Sequence, residues 1–344
     1  MCYLQEEQMT MNRLRYYFNC LPTVLLVLLT IPIQATAQPA DWGPMSPSLE
    51  DVPYPHPVSY MSFTMSGQDV RMAYMDVSPV GAENGKTVVL LHGGNFFAEY
   101  WKGTIEVLRN EGFRVLATDR IGYGRSSKPI LPYTLHDMAL HIKLLLDEKG
   151  ISKAAIVGHS MGGMVTSRFA FSYPSMTTHA VMVNQIGLTD SRLNRAWRDH
   201  EAQYQASLNR TYDSIRRGIE RYFVTWKPEY EYFIRLHYGW TQSGDWPQFA
   251  MVRSRIAQML YADPVVHDWP HIKAKTLVIG GTEDGPNFPA LAKNVADTIP
   301  NAELVLIDNV GHIPHLEAPD QFHAELIRFL KSEPVPETNN TGRH

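Results

Sequence analysis

Three short stretches hold residues that could do chemistry together. "GHSMG" sets Ser160 between two glycines, "NVGHIPH" carries His312, and "GTEDGP" carries Asp284. A serine hydroxyl is a weak nucleophile. It needs a base for its proton, an acid to orient that base, and donors for the oxyanion that forms. Ser160 follows the apolar run "AAIV" and precedes a helix-like run, so it stands where a buried strand turns into a helix. A serine there can be a simple helix cap, accepting from an orphan N–H of the first turn. The same setting with flanking glycines is that of a nucleophile elbow, in which the backbone crosses itself closely.

The partners must come from elsewhere in the chain. His312 sits between Gly311 and Pro314, after the last strand-like run and just before the final helical pattern. His315 follows it, but no acidic or cysteine partner has ligand spacing, so no metal site is expected. Among the acids, Glu283 and Asp284 are adjacent and their side chains should point apart. Asp has fewer rotamers to lose and precedes the Gly285-Pro286 turn. Asp190, after the sixth strand-like run, is a third candidate. Asp284 is preferred because serine, acid and histidine then follow one another in that order along the chain. The oxyanion donors are expected at Met161, directly after the serine, and at Gly94 in "HGGN", where a side chain would block the backbone's approach. Asn95, Phe96 and His159 are expected to contact substrate.

These residues need a scaffold. From Val58 the chain shows a strand pair, "VSYMSFTM" and "DVRMAYMDV", turning at Ser66-Gly67. Short apolar runs follow at "TVVLLH", "FRVLATD", "AAIVG", "AVMVN", "TLVIGG" and "ELVLID", with helical patterns between them, one capped by Thr134. Continuous apolar runs suit strands buried on both faces, and their alternation with helices predicts an α/β, doubly wound, mostly parallel sheet. Chemistry gathers at the carboxyl ends of such strands, where the three stretches lie. Residues 188–268 break the alternation with helical character and Trp197, Trp226, Trp240 and Trp246. A structureless connection of that length is uncommon. The segment reads as an inserted helical cap, with most aromatics in its own core and some facing the site. The core is then 58–187 and 269–332, with an extended proline-rich arm at 38–57 and a disordered tail at 333–344.

The start of the chain has another purpose. Arg13 and Arg15, the apolar stretch Leu21 to Ile33 and the small residues before Gln38 read as a secretory signal peptide cut after Ala37. Met11 is a possible start for it. Both cysteines, Cys2 and Cys20, fall in that leader, so the mature chain has no disulfide and relies on its core. The leader carries two acidic and two basic residues, leaving the net charge of −4 unchanged. No basic patch suggests nucleic acid. The expected partner is a small molecule, with no membrane once the leader is gone, and the location is secreted or periplasmic.

Taken together, residues Val58 to about Lys331 resemble α/β-hydrolases with a helical cap. That broad group includes epoxide hydrolases, haloalkane dehalogenases, proline iminopeptidases and carbon–carbon bond hydrolases. The matching residues are His92-Gly93-Gly94, Asp119 with Gly122, Gly124 and Ser126, the elbow Gly158-His159-Ser160-Met161-Gly162, Asp284, and Gly311-His312. Epoxide hydrolases and dehalogenases carry aspartate in place of Ser160. Proline iminopeptidases continue His-Gly-Gly with proline and glycine where this chain has Asn95 and Phe96. The resemblance implies a cofactor-free serine hydrolase that forms an acyl-enzyme on an ester, thioester or lactone. Amide or carbon–carbon cleavage, and a hydrolase-like receptor that does not turn over, stand as alternatives.

Overall fold

Two kinds of strand differ in how their side chains alternate. In β1 (Val58–Met65) Met61 and Met65 are buried while Tyr60, Ser62 and Thr64 are exposed, the pattern of a sheet edge with one wet face. It pairs antiparallel with β2 (Gln68–Val77). Ser66 and Gly67, both at positive φ (49° and 75°), form the two-residue turn that matches strand twist. In contrast, β3 (Thr87–Leu91), β4 (Arg114–Thr118), β5 (Ala154–His159), β6 (Thr177–Val183) and β7 (Lys275–Gly281) are buried nearly throughout. The last strand, β8 (Ala302–Ile307), is a half-buried edge.

The computed structural model describes residues 42–336, and the described strands form one eight-stranded sheet in the order β1-β2-β4-β3-β5-β6-β7-β8. All pairings beyond β2–β4 are parallel. The fold is therefore α/β and doubly wound, as the alternation of elements predicts. The expected leader, 1–37, and most of the expected tail lie outside the described residues.

Strand alternation divides the core in two. Val88 and Leu90 join a cluster with Ile105 of helix α1 (Lys102–Asn110) and Phe322 and Phe329 near the C-terminus. Val89 and Leu91 face a second cluster with Ile142 of α2 (Leu135–Glu148) and Phe169 of α3 (Met161–Ser172). Thr134 caps α2 as expected: its hydroxyl accepts from the Asp137 N–H at 2.9 Å, a contact worth about 1 kcal/mol.

Between β6 and β7 lie the cap helices α4 (His200–Leu208), α5 (Tyr212–Glu220), α6 (Glu231–Thr241) and α7 (Trp246–Ala262). The core resumes with α8 (Phe288–Thr298), α9 (Pro314–Glu317) and α10 (Pro319–Lys331). A buried charge fastens the cap's end to the helix that follows Ser160. Arg168 of α3 donates to Asp268 (2.6 Å), Asp263 (2.9 Å) and the Pro264 carbonyl (3.1 Å). Removing one partner of such a pair leaves the other uncompensated, which makes this anchor hard to alter.

The described part of the arm is pinned rather than merely laid on the surface. Leu49 and Val52 are buried, the Tyr54 hydroxyl donates to Asp119 at 2.6 Å, and Arg125 donates to the Val52 carbonyl at 2.8 Å. Asp119 also accepts the N–H groups of Ala98 and Arg125, so one carboxylate joins the arm to the loops after β3 and β4.

Candidate active site

Ser160 stands between β5 and α3 at φ 56° and ψ −118°, a conformation costing ~1–3 kcal/mol that persists only where its surroundings hold it. Its N–H donates to the Val183 carbonyl at 2.9 Å, and its carbonyl accepts from Gly163 at 3.0 Å. The side chain makes no capping hydrogen bond, so the cap role does not apply. Close backbone crossing explains the flanking glycines. A Cβ on Gly158 would lie 2.1 Å from the Gly162 carbonyl oxygen, and one on Gly162 would lie 2.3 Å from that of Leu91.

His312 is held from three directions. Its N–H donates to the Tyr222 carbonyl at 2.8 Å, the Tyr222 ring stacks on its imidazole at 4.8 Å, and its Nδ1 meets Asp284 Oδ1 at 2.8 Å. An ionised carboxylate only accepts, so Nδ1 carries the hydrogen and Nε2 keeps a lone pair. The other oxygen of Asp284 accepts from Asn184 Nδ2 at 2.9 Å. Asn184 follows β6 at φ 40°, which asparagine tolerates better than most residues. It escaped the sequence reading, where its only trace is a polar residue closing the run "AVMVN". The competing acids are elsewhere. Glu283 is exposed, and Asp190 pairs with Arg192 at 2.6 Å and His267 at 3.3 Å.

Glu317 ties the histidine loop to the cap, accepting from Gly311 N–H at 2.7 Å and from Val224 N–H at 2.8 Å. Beneath lies His159, which was expected at the substrate and is not there. It is 0% exposed and does not line the cavity. Tyr100 accepts the Gly93 N–H at 3.0 Å and is 3.0 Å from His159 Nδ1, while Nε2 is 2.7 Å from the His312 carbonyl. The tyrosine hydroxyl thus donates to Nδ1, and the Nε2–H donates to the carbonyl. Burial, with His312 and His315 nearby, holds His159 neutral, well below the ordinary imidazole range. Strand alternation explains the error: His159 is the last residue of β5 and shares the parity of Val157, so its side chain points away from the cavity. His315 is buried too, stacked on Trp101 at 4.2 Å and held neutral chiefly by burial.

Ser160, His312, Asp284, Gly94, Met161, Asn95 and Phe96 all border one cavity of about 480 Å³. The Met161 N–H opens α3 and has no intrahelical acceptor. Space explains Gly93 rather than Gly94. A Cβ on Gly93 would lie 2.9 Å from the His159 ring and 3.2 Å from Ser160 Cβ, whereas one on Gly94 would meet nothing closer than 3.8 Å. The expectation of a crowded Gly94 is thus corrected. Buried Arg120 steadies this loop by donating to the His92 carbonyl, and its N–H donates to His92 Nε2 at 3.2 Å.

The cap closes the cavity with Arg221, Tyr222, Arg253, Ile256, Ala257 and Leu260. None of the four cap tryptophans lines it. Trp240 and Trp246 pack with Phe249, Trp226 packs with Phe223 and Tyr230, and Trp197 lies half exposed against Tyr261. The cap's aromatic contribution to the wall is Tyr222.

The chain is similar to known proteins in sequence and fold. Residues 88–325 match the Alpha/beta hydrolase family. A crystal structure of a "probable hydrolytic enzyme" from Pseudomonas aeruginosa PAO1 superposes with a TM-score of 0.82 at 33% identity, covering 85% of this chain and 99% of that one. The 2-hydroxy-6-oxononadienedioate/2-hydroxy-6-oxononatrienedioate hydrolase of Paraburkholderia phymatum is 26% identical over 79% of this chain and 94% of its own. Lipase 3 of Moraxella sp. (strain TA144) is 24% identical over 75% of this chain and 80% of its own. With the family match spanning more than half of the chain, on the sheet that carries the elbow and its histidine, this protein belongs to the alpha/beta hydrolase family and is a hydrolase.

Proposed function

We propose that the protein is a serine hydrolase of small to medium, partly apolar esters, thioesters or lactones. The observation that carries this reading is the Asp284–His312 hydrogen bond at 2.8 Å beside a strained, uncapped Ser160 in one cavity. His312 Nε2 takes the Ser160 proton as Oγ attacks the carbonyl carbon. The Gly94 and Met161 N–H groups receive the oxyanion. The tetrahedral adduct collapses, His312 returns the proton to the leaving alkoxide or thiolate, and the acyl group stays on Ser160. Water, deprotonated by the same histidine, then releases the acid. Asp284 keeps the imidazole in the required tautomer and stabilises the imidazolium.

An apolar acyl chain is favoured by Met161, Ile186, Ile256 and Leu260 in the lining. Cleavage of aminoacyl amides is disfavoured, because Arg221 and Arg253 in the same lining would repel a substrate ammonium. A panel of p-nitrophenyl esters, lactones and aminoacyl amides, offered to the purified mature protein, tests this. Turnover is expected for the first two classes. Amide turnover exceeding both, or no turnover of any class, would overturn the reading.

The leader-like start motivates a second part of the proposal, export to the periplasm or medium. Mass spectrometry of the exported protein should place the N-terminus within a few residues of Gln38. An exported form retaining Cys20 would refute removal of the leader, and a protein found only in the cytoplasm would refute export.

A further inference from the structure

Three arginines from separate cap segments gather at and behind the cavity wall, and none has a carboxylate partner among the described residues. Arg253 of α7 and Arg221, just past α5, form part of the wall, and Arg210 stands behind them. Arg253 Nη2 donates to Asn95 Oδ1 at 2.9 Å, while its Nε and Nη1 find no acceptor among the described residues. Arg210 Nη1 lies 3.4 Å from His237 Nδ1, and His237 Nε2 donates to the Asn95 carbonyl at 2.8 Å. The Asn95 amide N–H is spent on the Tyr222 hydroxyl at 2.7 Å. Both acceptors of Asn95 are therefore taken, and the surrounding groups are an array of donors.

The only acid in the lining, Asp284, is occupied by His312 and Asn184. Burial, then the Arg253 charge, pulls the Arg210 guanidinium down to about 9, which leaves it charged at neutral pH. Burial lowers Arg253 in the same direction, and a guanidinium does not lose its proton in a protein. Arg210 and Arg253 are half-buried and Arg221 beside them is exposed, and like charges held together with no counterion leave a positive potential that an anion would relieve. A planar carboxylate matches the free edge of a guanidinium with two parallel hydrogen bonds.

We propose that Arg253, backed by Arg221 and Arg210, binds a carboxylate carried by the substrate, so that the preferred substrates are half-esters or lactone acids rather than neutral esters. The scissile carbonyl lies at Ser160, the apolar stretch along Ile256 and Leu260, and the anionic end at Arg253. The identity of the broken bond rests on the proposed ester hydrolysis. The anion site itself does not.

Two esters separate the ideas, mono(4-nitrophenyl) glutarate and 4-nitrophenyl pentanoate. They share a leaving group and an acyl length, and differ in a terminal carboxylate. Wild-type enzyme should favour the half-ester in kcat/KM by about 10- to 100-fold, the range of one hydrogen bond between charged groups. Arg253→Met keeps much of the stem's length and apolar packing and should bring that ratio to one or below while still turning over the pentanoate. A mere clamp on Asn95 would affect both esters alike. A wild-type ratio of one or less, or a preference retained in Arg253→Met, overturns the proposal. Calorimetry on Ser160→Ala reads the site without turnover: the half-ester should bind at least tenfold tighter than the pentanoate, and equal binding refutes the anion site. Binding preference without turnover in wild type would sink ester hydrolysis and leave the carboxylate site standing. Stronger binding of 4-nitrophenyl 4-phosphonobutanoate than of the half-ester would overturn the carboxylate in favour of a phosphate-like group.

Discussion

Ser160→Ala is expected to lower kcat on the best ester by on the order of 10⁴–10⁶ with KM little changed, because the nucleophile, base and acid act as one unit. Labelling by a fluorophosphonate probe should move from Ser160 to nothing. The variant should fold, since the hydroxyl makes no capping bond. Stability is expected within about 1 kcal/mol of wild type, read by thermal melting. The experiment has a clear failing outcome. Probe labelling at another serine, or activity within tenfold of wild type, would make the elbow a structural feature only.

The second large effect concerns the orienting acid. Asp284→Asn should cut kcat by up to ~10⁴ with KM nearly unchanged, because an amide nitrogen facing Nδ1 favours the tautomer in which Nε2 cannot accept a proton. Asn184 touches only the far oxygen of that carboxylate, at 2.9 Å, so Asn184→Ala should cost about tenfold to a hundredfold in kcat. Glu283→Gln and Asp190→Asn should cost less than tenfold, since neither carboxylate contacts His312. A crippled Glu283 or Asp190 variant beside an active Asp284→Asn would reassign the acid.

Much of this site could be read along the chain. Ser160, Asp284 and His312 each stand in a short polar stretch closing an apolar run, and a parallel sheet brings such ends together on one edge. Asp284 rather than Glu283 meets His312 for a local reason: adjacent residues off one strand diverge, and the one at the Gly285-Pro286 turn faces inward. His159 was misread from its place beside the nucleophile, because β5 continues through it and strand parity sends its ring to the opposite face. The cap tryptophans were read as possible walls of the cavity. Trp226, Trp240 and Trp246 instead pack into or against the buried core and Trp197 lies half exposed, while Ile256, Ala257 and Leu260 of α7 line the site.

The sequence by itself determined the doubly wound sheet, the elbow and the order of its partners, since each depends on local periodicity and turn chemistry. Only the tertiary structure decided what surrounds them. Asn184 reaches Asp284 because β6 and β7 are neighbours in the sheet, an adjacency no local pattern encodes. Nothing in the sequence marks out Arg210, Arg221 and Arg253 in a chain whose net charge is only −4. Packing of the cap brings Arg221 and Arg253 into one lining with Arg210 behind them, where the only acid, Asp284, is already taken by His312 and Asn184. A charge's neighbours are set by distance in space, where a few ångströms decide whether it is paired or free to hold a ligand.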